Sequence, residues 1–290
     1  MCDDLTDHDA DAALGAMGFS RRQFTAMGAA TLAAALAASE AEAKAARLVE
    51  RTVTIDTLAG RADAFFVHPA RGKHPAVIMW PDIAGLRDAY KVMARRLAAD
   101  GHAVLVVNQY YRNARAPVLP SFAAWRTPEG RAKLAPMIAG LTPEAVVADS
   151  TSYVAWLDEQ RAVDTDRRIG TCGYCMGGPF AVRTAAANIA RVGAAASFHG
   201  GGLVAEAADS PHRQLQLSNA AYLIAIARGD DARAPGDKDA LRAAADEAAR
   251  PAEIEVYPAE HGWCTIDSPV YDKAQADRAW GRMLELFKRL

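Results

Sequence analysis

The stretch Gly173-Tyr174-Cys175-Met176-Gly177-Gly178 decides the fold of this chain. It follows an apolar run at 168–172 and precedes a helix-like segment at 179–190. A strand, a sharp turn between glycines and a helix form the pattern of a G-x-S-x-G nucleophile elbow, here with cysteine in place of serine. The glycines suit a turn that brings strand and helix close together. We therefore predict that Cys175 is a nucleophile and that the next N–H, that of Met176, is an oxyanion donor. The alternative is an ordinary buried cysteine in a glycine-rich turn.

Strand-like and helix-like segments alternate around this turn. We predict strands at 52–56, 64–68, 76–80, 103–107, 168–172, 194–198, 221–227 and 253–257, and helices at 88–100, 142–160, 179–190, 237–250 and 268–290. The first two strands form a hairpin. The repeated β-α-β order predicts an α/β fold, with a mostly parallel central sheet and helices on both faces. We expect residues 46–290 to form a single domain. Segment 113–140 breaks the pattern and is either a roof over the site or a surface excursion.

The first 45 residues differ in composition from the rest. Arg21-Arg22 is followed by Phe24, an uncharged alanine-rich run at 26–38 and the small-x-small sequence Ala41-Glu42-Ala43. This order is typical of a twin-arginine export signal, which predicts a periplasmic or secreted protein exported by the twin-arginine machinery. The alternative is an alanine-rich helix or disordered segment on a cytoplasmic protein. The run is too short and too weakly apolar for a stable membrane span.

The composition excludes several other classes. A formal net charge of −2 over 290 residues gives no reason to expect a nucleic-acid partner. Four cysteines in a chain of this length do not make a disulfide scaffold. No His or Cys cluster has the spacing of metal ligands, so we expect neither a metal nor a cofactor. Cys172 and Cys175 do form a C-x-x-C pair, but we expect Cys172 to be buried in its strand and inert.

A cysteine nucleophile needs a base and a group that orients the base. In this fold the acid and the histidine follow the nucleophile in that order, each after a strand. His261 stands in the loop after the last predicted strand and is the candidate base. Asp230 and Asp231 both follow the preceding strand. We favour Asp231 because Pro235 comes four residues later, a common spacing in hydrolases of this type, but Asp230 stays open.

Four motifs together resemble the dienelactone hydrolase (carboxymethylenebutenolidase) family, which has the α/β-hydrolase fold. They are Trp80-Pro81-Asp82-Ile83-Ala84-Gly85-Leu86, Tyr110-Tyr111-Arg112, Gly173-Tyr174-Cys175-Met176-Gly177-Gly178 and Glu260-His261-Gly262-Trp263. The resemblance extends from about residue 52 to the C-terminus. It implies a catalytic triad of Cys175, His261 and Asp231.

The resemblance also implies roles for residues outside the triad. Asp82 stands where the family commonly has a glutamate that contacts the resting thiol, and it is one methylene shorter. The N–H of Ile83 would be a second oxyanion donor beside that of Met176. Arg112 matches an arginine that binds a substrate carboxylate. A second such arginine is expected four residues after His261, where Thr265 stands, so the substrate is expected to differ from dienelactone itself.

We therefore expect a hydrolase that cleaves a small, possibly carboxylated ester or lactone through a thioacyl intermediate on Cys175. Two alternatives keep the fold but not this chemistry. One is a non-catalytic binding protein, which would have a cysteine no more reactive than a free thiol. The other is a redox-active protein, which would form a disulfide between Cys172 and Cys175.

Overall fold

The computed structural model describes residues 47–290 and, before them, only Ala34 and Ala37. The predicted export signal at 1–45 thus lies outside the described residues, apart from these two positions. Within the described part of the chain, no helix is both long enough and apolar enough to cross a membrane.

Eight strands form one sheet in the order β1-β2-β4-β3-β5-β6-β7-β8. The hairpin β1–β2 is antiparallel, β2 pairs antiparallel with β4, and every later pair is parallel. Parallel strands place their carboxyl ends at one edge of the sheet, so the loops after β3, β5, β6, β7 and β8 meet there. The strands are β1 (Leu48–Thr57), β2 (Gly60–Pro69), β3 (Ala76–Trp80), β4 (Ala103–Val107), β5 (Ile169–Tyr174), β6 (Val192–Phe198), β7 (Ala221–Ala227) and β8 (Ala252–Tyr257).

Helices cover both faces of the sheet, as predicted. They are α1 (Asp88–Ala99), α2 (Phe122–Trp125), α3 (Pro128–Ala139), α4 (Pro143–Asp158), α5 (Gly177–Ala187), α6 (Pro211–Gln214), α7 (Arg228–Arg233), α8 (Asp237–Glu247) and α9 (Lys273–Phe287). Thr142 caps α4, accepting a hydrogen bond from the N–H of Ala145, and Pro143 stands in its first turn. Both features were predicted from the sequence.

The central strands are apolar on both sides because each side packs against a layer of helices. In β3, Val77 and Met79 belong to a core shared with α1 and α9. Ile78 and Trp80 belong to a second core on the opposite face, shared with α4 and α5. The sheet therefore lies between two cores, and its carboxyl edge is held rigidly from both sides.

Several boundaries differ from the sequence prediction, and α2, α3, α6 and α7 had no predicted counterpart. Helix α5 begins at Gly177, two residues before its predicted start, because the elbow turns directly into the helix. Helix α9 begins at Lys273 rather than 268, since Asp272 caps it by accepting from the N–H of Gln275. Segment 113–140, which the sequence left without regular structure, contains the short helices α2 and α3, capped by Ser121 and Thr127.

Candidate active site

Cys175 lies in the sharp turn between β5 and α5. Its φ of 53° is in the left-handed region, which is rare for a residue with a side chain. A Cβ on Gly173 would lie 1.8 Å from the carbonyl oxygen of Gly177, and one on Gly177 would lie 2.4 Å from that of Trp80. These contacts explain why both positions are glycine. The turn places Cys175 at the carboxyl edge of the sheet and directly before the N-terminus of α5.

His261 follows β8 and is held by the aspartate that follows β7. Its Nδ1 lies 2.8 Å from Oδ2 of Asp230. The imidazole is 96% buried, with a side-chain exposure of 4%. A carboxylate at Nδ1 fixes the tautomer with the proton on that nitrogen, so Nε2 is the nitrogen that can accept a proton.

The prediction of Asp231 as the orienting acid is wrong. The loop after β7 is the short helix α7, in which neighbouring side chains point in different directions. Asp230 points to His261, and Asp231 points to α8, where both of its oxygens accept from Nζ of Lys238 at 2.7 and 2.9 Å. Arg233, one turn along α7, donates to Oδ1 of Asp230 at 2.5 Å. Asp230 therefore binds His261 with one oxygen and Arg233 with the other.

His199, which directly follows β6, contacts both Cys175 and His261. Its Nδ1 accepts a hydrogen bond from the backbone N–H of Cys175 at 3.1 Å. Its ring meets that of His261 edge-to-face, with centroids 4.9 Å apart, and that of Trp263 at 5.1 Å. Burial, and then the neighbouring His261, hold the pKa of His199 well below its ordinary value. His199 is therefore a neutral imidazole with its proton on Nε2.

From the sequence, His199 is predicted to be structural or pocket-lining rather than catalytic. The available signal was its position, since it ends the strand next to β5 in the same way that Cys175 and His261 follow theirs. Its φ of 41° places it in a strained turn as well. Strained residues at the carboxyl edge of a parallel sheet often belong to functional sites.

The loop after β3 lies against the elbow. Two contacts hold this loop in place: Nε2 of Gln109 donates to the carbonyl of Asp82 at 2.8 Å, and the hydroxyl of Tyr110 donates to that of Ile83 at 2.7 Å. Ile83 is 1% exposed, and Met176 packs against the cluster that contains it. The role of their two N–H groups as oxyanion donors stays a prediction.

A model of the dienelactone hydrolase family matches residues 62–290. The chain belongs to the dienelactone hydrolase family. A protein of Escherichia coli (strain K12) that carries the provisional name carboxymethylenebutenolidase is 28% identical over 225 residues, which is 75% of this chain and 78% of that protein. Family membership makes the protein a hydrolase of the ester or lactone type.

Solved structures of other proteins share its fold, and two of them cover most of this chain. One, from Klebsiella pneumoniae and provisionally named a dienelactone hydrolase, has a TM-score of 0.71 and 24% sequence identity, covering 84% of this chain and 99% of that one. The other is a dienelactone hydrolase-like promiscuous phosphotriesterase from metagenomic libraries, with a TM-score of 0.69 and 23% identity, covering 84% and 98%. The α/β-hydrolase fold predicted from the sequence is confirmed.

In this dienelactone hydrolase family member, Asp82 is held in a buried ion pair. Both of its oxygens accept from the guanidinium of Arg87, at 2.7 and 2.9 Å, and Arg87 also binds both oxygens of Asp267. Asp267 in turn accepts a hydrogen bond from the N–H of Phe122 in segment 113–140. Burial alone would lower the pKa of Arg87, but the two carboxylates outweigh it and hold the pKa well above its ordinary value. The predicted contact between Asp82 and the thiol stays a prediction.

The structure places Arg112 in an ion pair within the protein, and its predicted role in substrate binding stays a prediction. Its guanidinium donates to both oxygens of Asp149 on α4, at 2.7 and 2.8 Å. It also lies over the ring of Tyr111, whose hydroxyl donates to the same carboxylate. The carboxylate that Arg112 binds thus belongs to the protein itself. The sequence could not reveal this, because Asp149 is 37 residues away on a helix whose rotation is set by packing.

The remaining sequence expectations concern Cys172 and the roof. Cys172 is fully buried, and burial raises the pKa of its thiol, as expected of an inert strand residue.

Segment 113–140 packs on the loop after β3: Val118, Leu119, Phe122 and Trp125 form one cluster with Ile83. It is thus a roof over this loop rather than an excursion away from it.

Proposed function

We propose that the protein hydrolyses small esters or lactones through a thioester on Cys175, with His261 as the general base and Asp230 as its orienting acid. The observation that carries this proposal is the fixed geometry of the base beside the elbow. Asp230 holds His261 by Nδ1, and one residue, His199, contacts both His261 and the backbone of Cys175. Nucleophile, acid and base also follow one another along the chain in the order used by this fold.

The chemistry would proceed in two steps. His261 accepts the proton of Cys175, and the thiolate is further favoured by the N-terminus of α5 directly after it. The sulfur attacks the acyl carbon, a C–S bond forms, and the N–H groups of Ile83 and Met176 stabilise the oxyanion. When the C–O bond breaks, His261 returns its proton to the leaving alkoxide. Water then gives a proton to His261 and attacks the thioester, which releases the acid and restores the thiolate.

The direct test compares Cys175→Ala with Cys172→Ala on a small enol lactone and on p-nitrophenyl acetate. We expect Cys175→Ala to abolish turnover, whereas Cys172→Ala, which removes a thiol from the strand just before the turn, keeps it. Mass spectrometry of the wild type during turnover should detect an added acyl mass on the peptide that contains Cys175. Unchanged turnover in Cys175→Ala would overturn the proposal.

We propose in addition that residues 1–45 direct twin-arginine export, so that the enzyme acts in the periplasm or outside the cell. The support is the sequence order alone: Arg21-Arg22, an uncharged alanine-rich run and Ala41-Glu42-Ala43. The N-terminal residue of protein recovered from the periplasm tests this. Replacement of Arg21 and Arg22 by lysine should keep the protein in the cytoplasm, and unaltered export of that variant would contradict the proposal.

A further inference from the structure

The arginines that lie on the loops of the site are neutralised by carboxylates of the protein. Arg87 is 1% exposed and lies between Asp82 and Asp267, so two negative charges face one positive charge. Arg112, which follows β4, is bound at both ends of its fork by Asp149. Arg87 cannot bind an incoming carboxylate without giving up a buried internal partner, which is energetically costly. The charge of Arg112 is already balanced by Asp149, so a second carboxylate there would add a negative charge that no cation offsets.

The arginines of the loop after β7 are also paired with carboxylates of the protein. Arg228 pairs with Glu260, the residue before His261, and Arg233 pairs with Asp230. Asp230 is already shared between Arg233 and His261. A substrate carboxylate at this loop would therefore compete with a carboxylate that the catalytic histidine needs.

The side of the roof that packs on the loop after β3 is apolar. Ile83 and Ala84 of that loop are buried in one cluster with residues of the roof: Val118, Leu119, Phe122, Trp125 and Leu134. The charged residues of the roof are largely on its outside, where Arg115, Arg131 and Lys133 are exposed. The roof side chains packed around Ile83 are therefore hydrocarbon rather than charged.

We infer that the substrate of this enzyme is uncharged: a neutral ester or lactone whose acyl group is apolar, with no carboxylate. This inference rests on the proposed function, since it describes the acyl group that Cys175 would attack. A carboxylate in such surroundings would lose its hydration without gaining a partner, whereas an alkyl or aryl group would gain from leaving water.

The test uses three p-nitrophenyl esters of equal chain length. Hexanoate is neutral, the adipate monoester replaces its terminal methyl by a carboxylate, and the adipate monoester with its far end methylated masks that charge again. We expect kcat/KM, divided by the rate of hydroxide hydrolysis, to be about 100-fold or more higher for hexanoate than for the adipate monoester. The methylated adipate should recover most of the difference, which assigns the effect to charge rather than size.

A second readout does not need hydrolysis. Iodoacetamide and iodoacetate both alkylate thiols and are similar in size, but iodoacetamide is neutral and iodoacetate is anionic. We expect Cys175, followed by peptide mass spectrometry, to favour iodoacetamide over iodoacetate at least 10-fold more strongly than glutathione does. Cys175→Ala identifies any signal from the other cysteines.

The outcomes separate the two proposals. Equal or greater reactivity toward the adipate monoester, or toward iodoacetate, overturns the uncharged substrate and leaves the proposed function intact. If that preference disappears in Arg126→Ala, the partly buried arginine of the roof binds the carboxylate. Absence of Cys175-dependent turnover for all three esters overturns the proposed function, and the alkylation ratio then decides the charge preference of the site alone.

Discussion

Replacing Arg87 by methionine should destabilise the protein strongly at neutral pH. The guanidinium is the shared partner of Asp82 and Asp267, whose side chains are 2% and 4% exposed. Methionine keeps most of the apolar stem but removes the charge and all the hydrogen bonds. Two carboxylates then stay buried against each other without a cation, which is the arrangement that folded proteins tolerate least.

The expected loss is about 3–5 kcal/mol, the usual cost of removing one partner from a buried ion pair. For a domain of this size, that corresponds to a decrease in Tm of roughly 6–20 °C. The loss should depend on pH. In the wild type, Arg87 outweighs the burial that raises the pKa of Asp267 and holds that pKa below its ordinary value. The stability from Asp267 is then present above the unfolded pKa of about 3.9 and is lost below it.

In Arg87→Met the sign reverses, because burial without the guanidinium raises the folded pKa of Asp267 above the unfolded value. The penalty from Asp267 then grows as pH rises from about 4 and is small where its carboxyl is protonated. Urea unfolding at pH 4.5 and pH 7.5 measures this, with the exposed-pair variant Arg282→Met as a control that should lose at most about 1 kcal/mol. The triple variant with Asp82→Asn and Asp267→Asn should recover most of the stability. A loss below about 1 kcal/mol, or an equal loss at both pH values, would refute the reasoning.

Three further predictions concern the site. Asp230→Asn should lower kcat/KM for p-nitrophenyl acetate by about 10³–10⁴-fold because it disturbs the tautomer of the base, while Asp231→Asn should stay within about threefold; a larger effect at Asp231 would reverse the assignment. His199→Asn, whose amide oxygen can accept a hydrogen bond from the backbone N–H of Cys175, should keep more activity than His199→Leu, which leaves that N–H with one acceptor fewer. If kcat/KM, measured across the pH–rate profile, falls equally in both variants, His199 has no positioning role. Gly173→Ala should prevent stable folding because the new Cβ lies 1.8 Å from a carbonyl oxygen, whereas Gly236→Ala, with nothing within 4 Å, should be tolerated by thermal denaturation; similar Tm values for the two variants would contradict this.

The features that could be predicted from the sequence are those that depend on a single segment of the chain. The buried strands are uninterrupted apolar runs, and the elbow is a cysteine between glycines at a strand–helix junction. Its steric demand is local, since Gly173 and Gly177 meet within five residues. The order of Cys175 and His261 along the chain is the order that nucleophile and base have in this fold.

The partners of charged side chains were much harder to predict. Asp230 and Asp231 are neighbours with the same chemistry, and the rotation of a single helical turn decides which of them meets His261. Arg112 was predicted to bind a substrate because it matches the family's carboxylate-binding arginine, and no local pattern points to Asp149. His199 lacked a motif because its contacts are with a backbone N–H and with two rings from another loop.

The sequence by itself thus determined the α/β architecture, the elbow and the identity of the nucleophile and base as candidates, because these depend on hydrophobic pattern, turn sterics and chain order. Only the tertiary structure decided which carboxylate each cation binds. Arg87 and Asp267 are 180 residues apart, and Arg112 and Asp149 are 37 apart. Such pairs form when packing brings distant elements together and excludes water, and no local pattern records that choice.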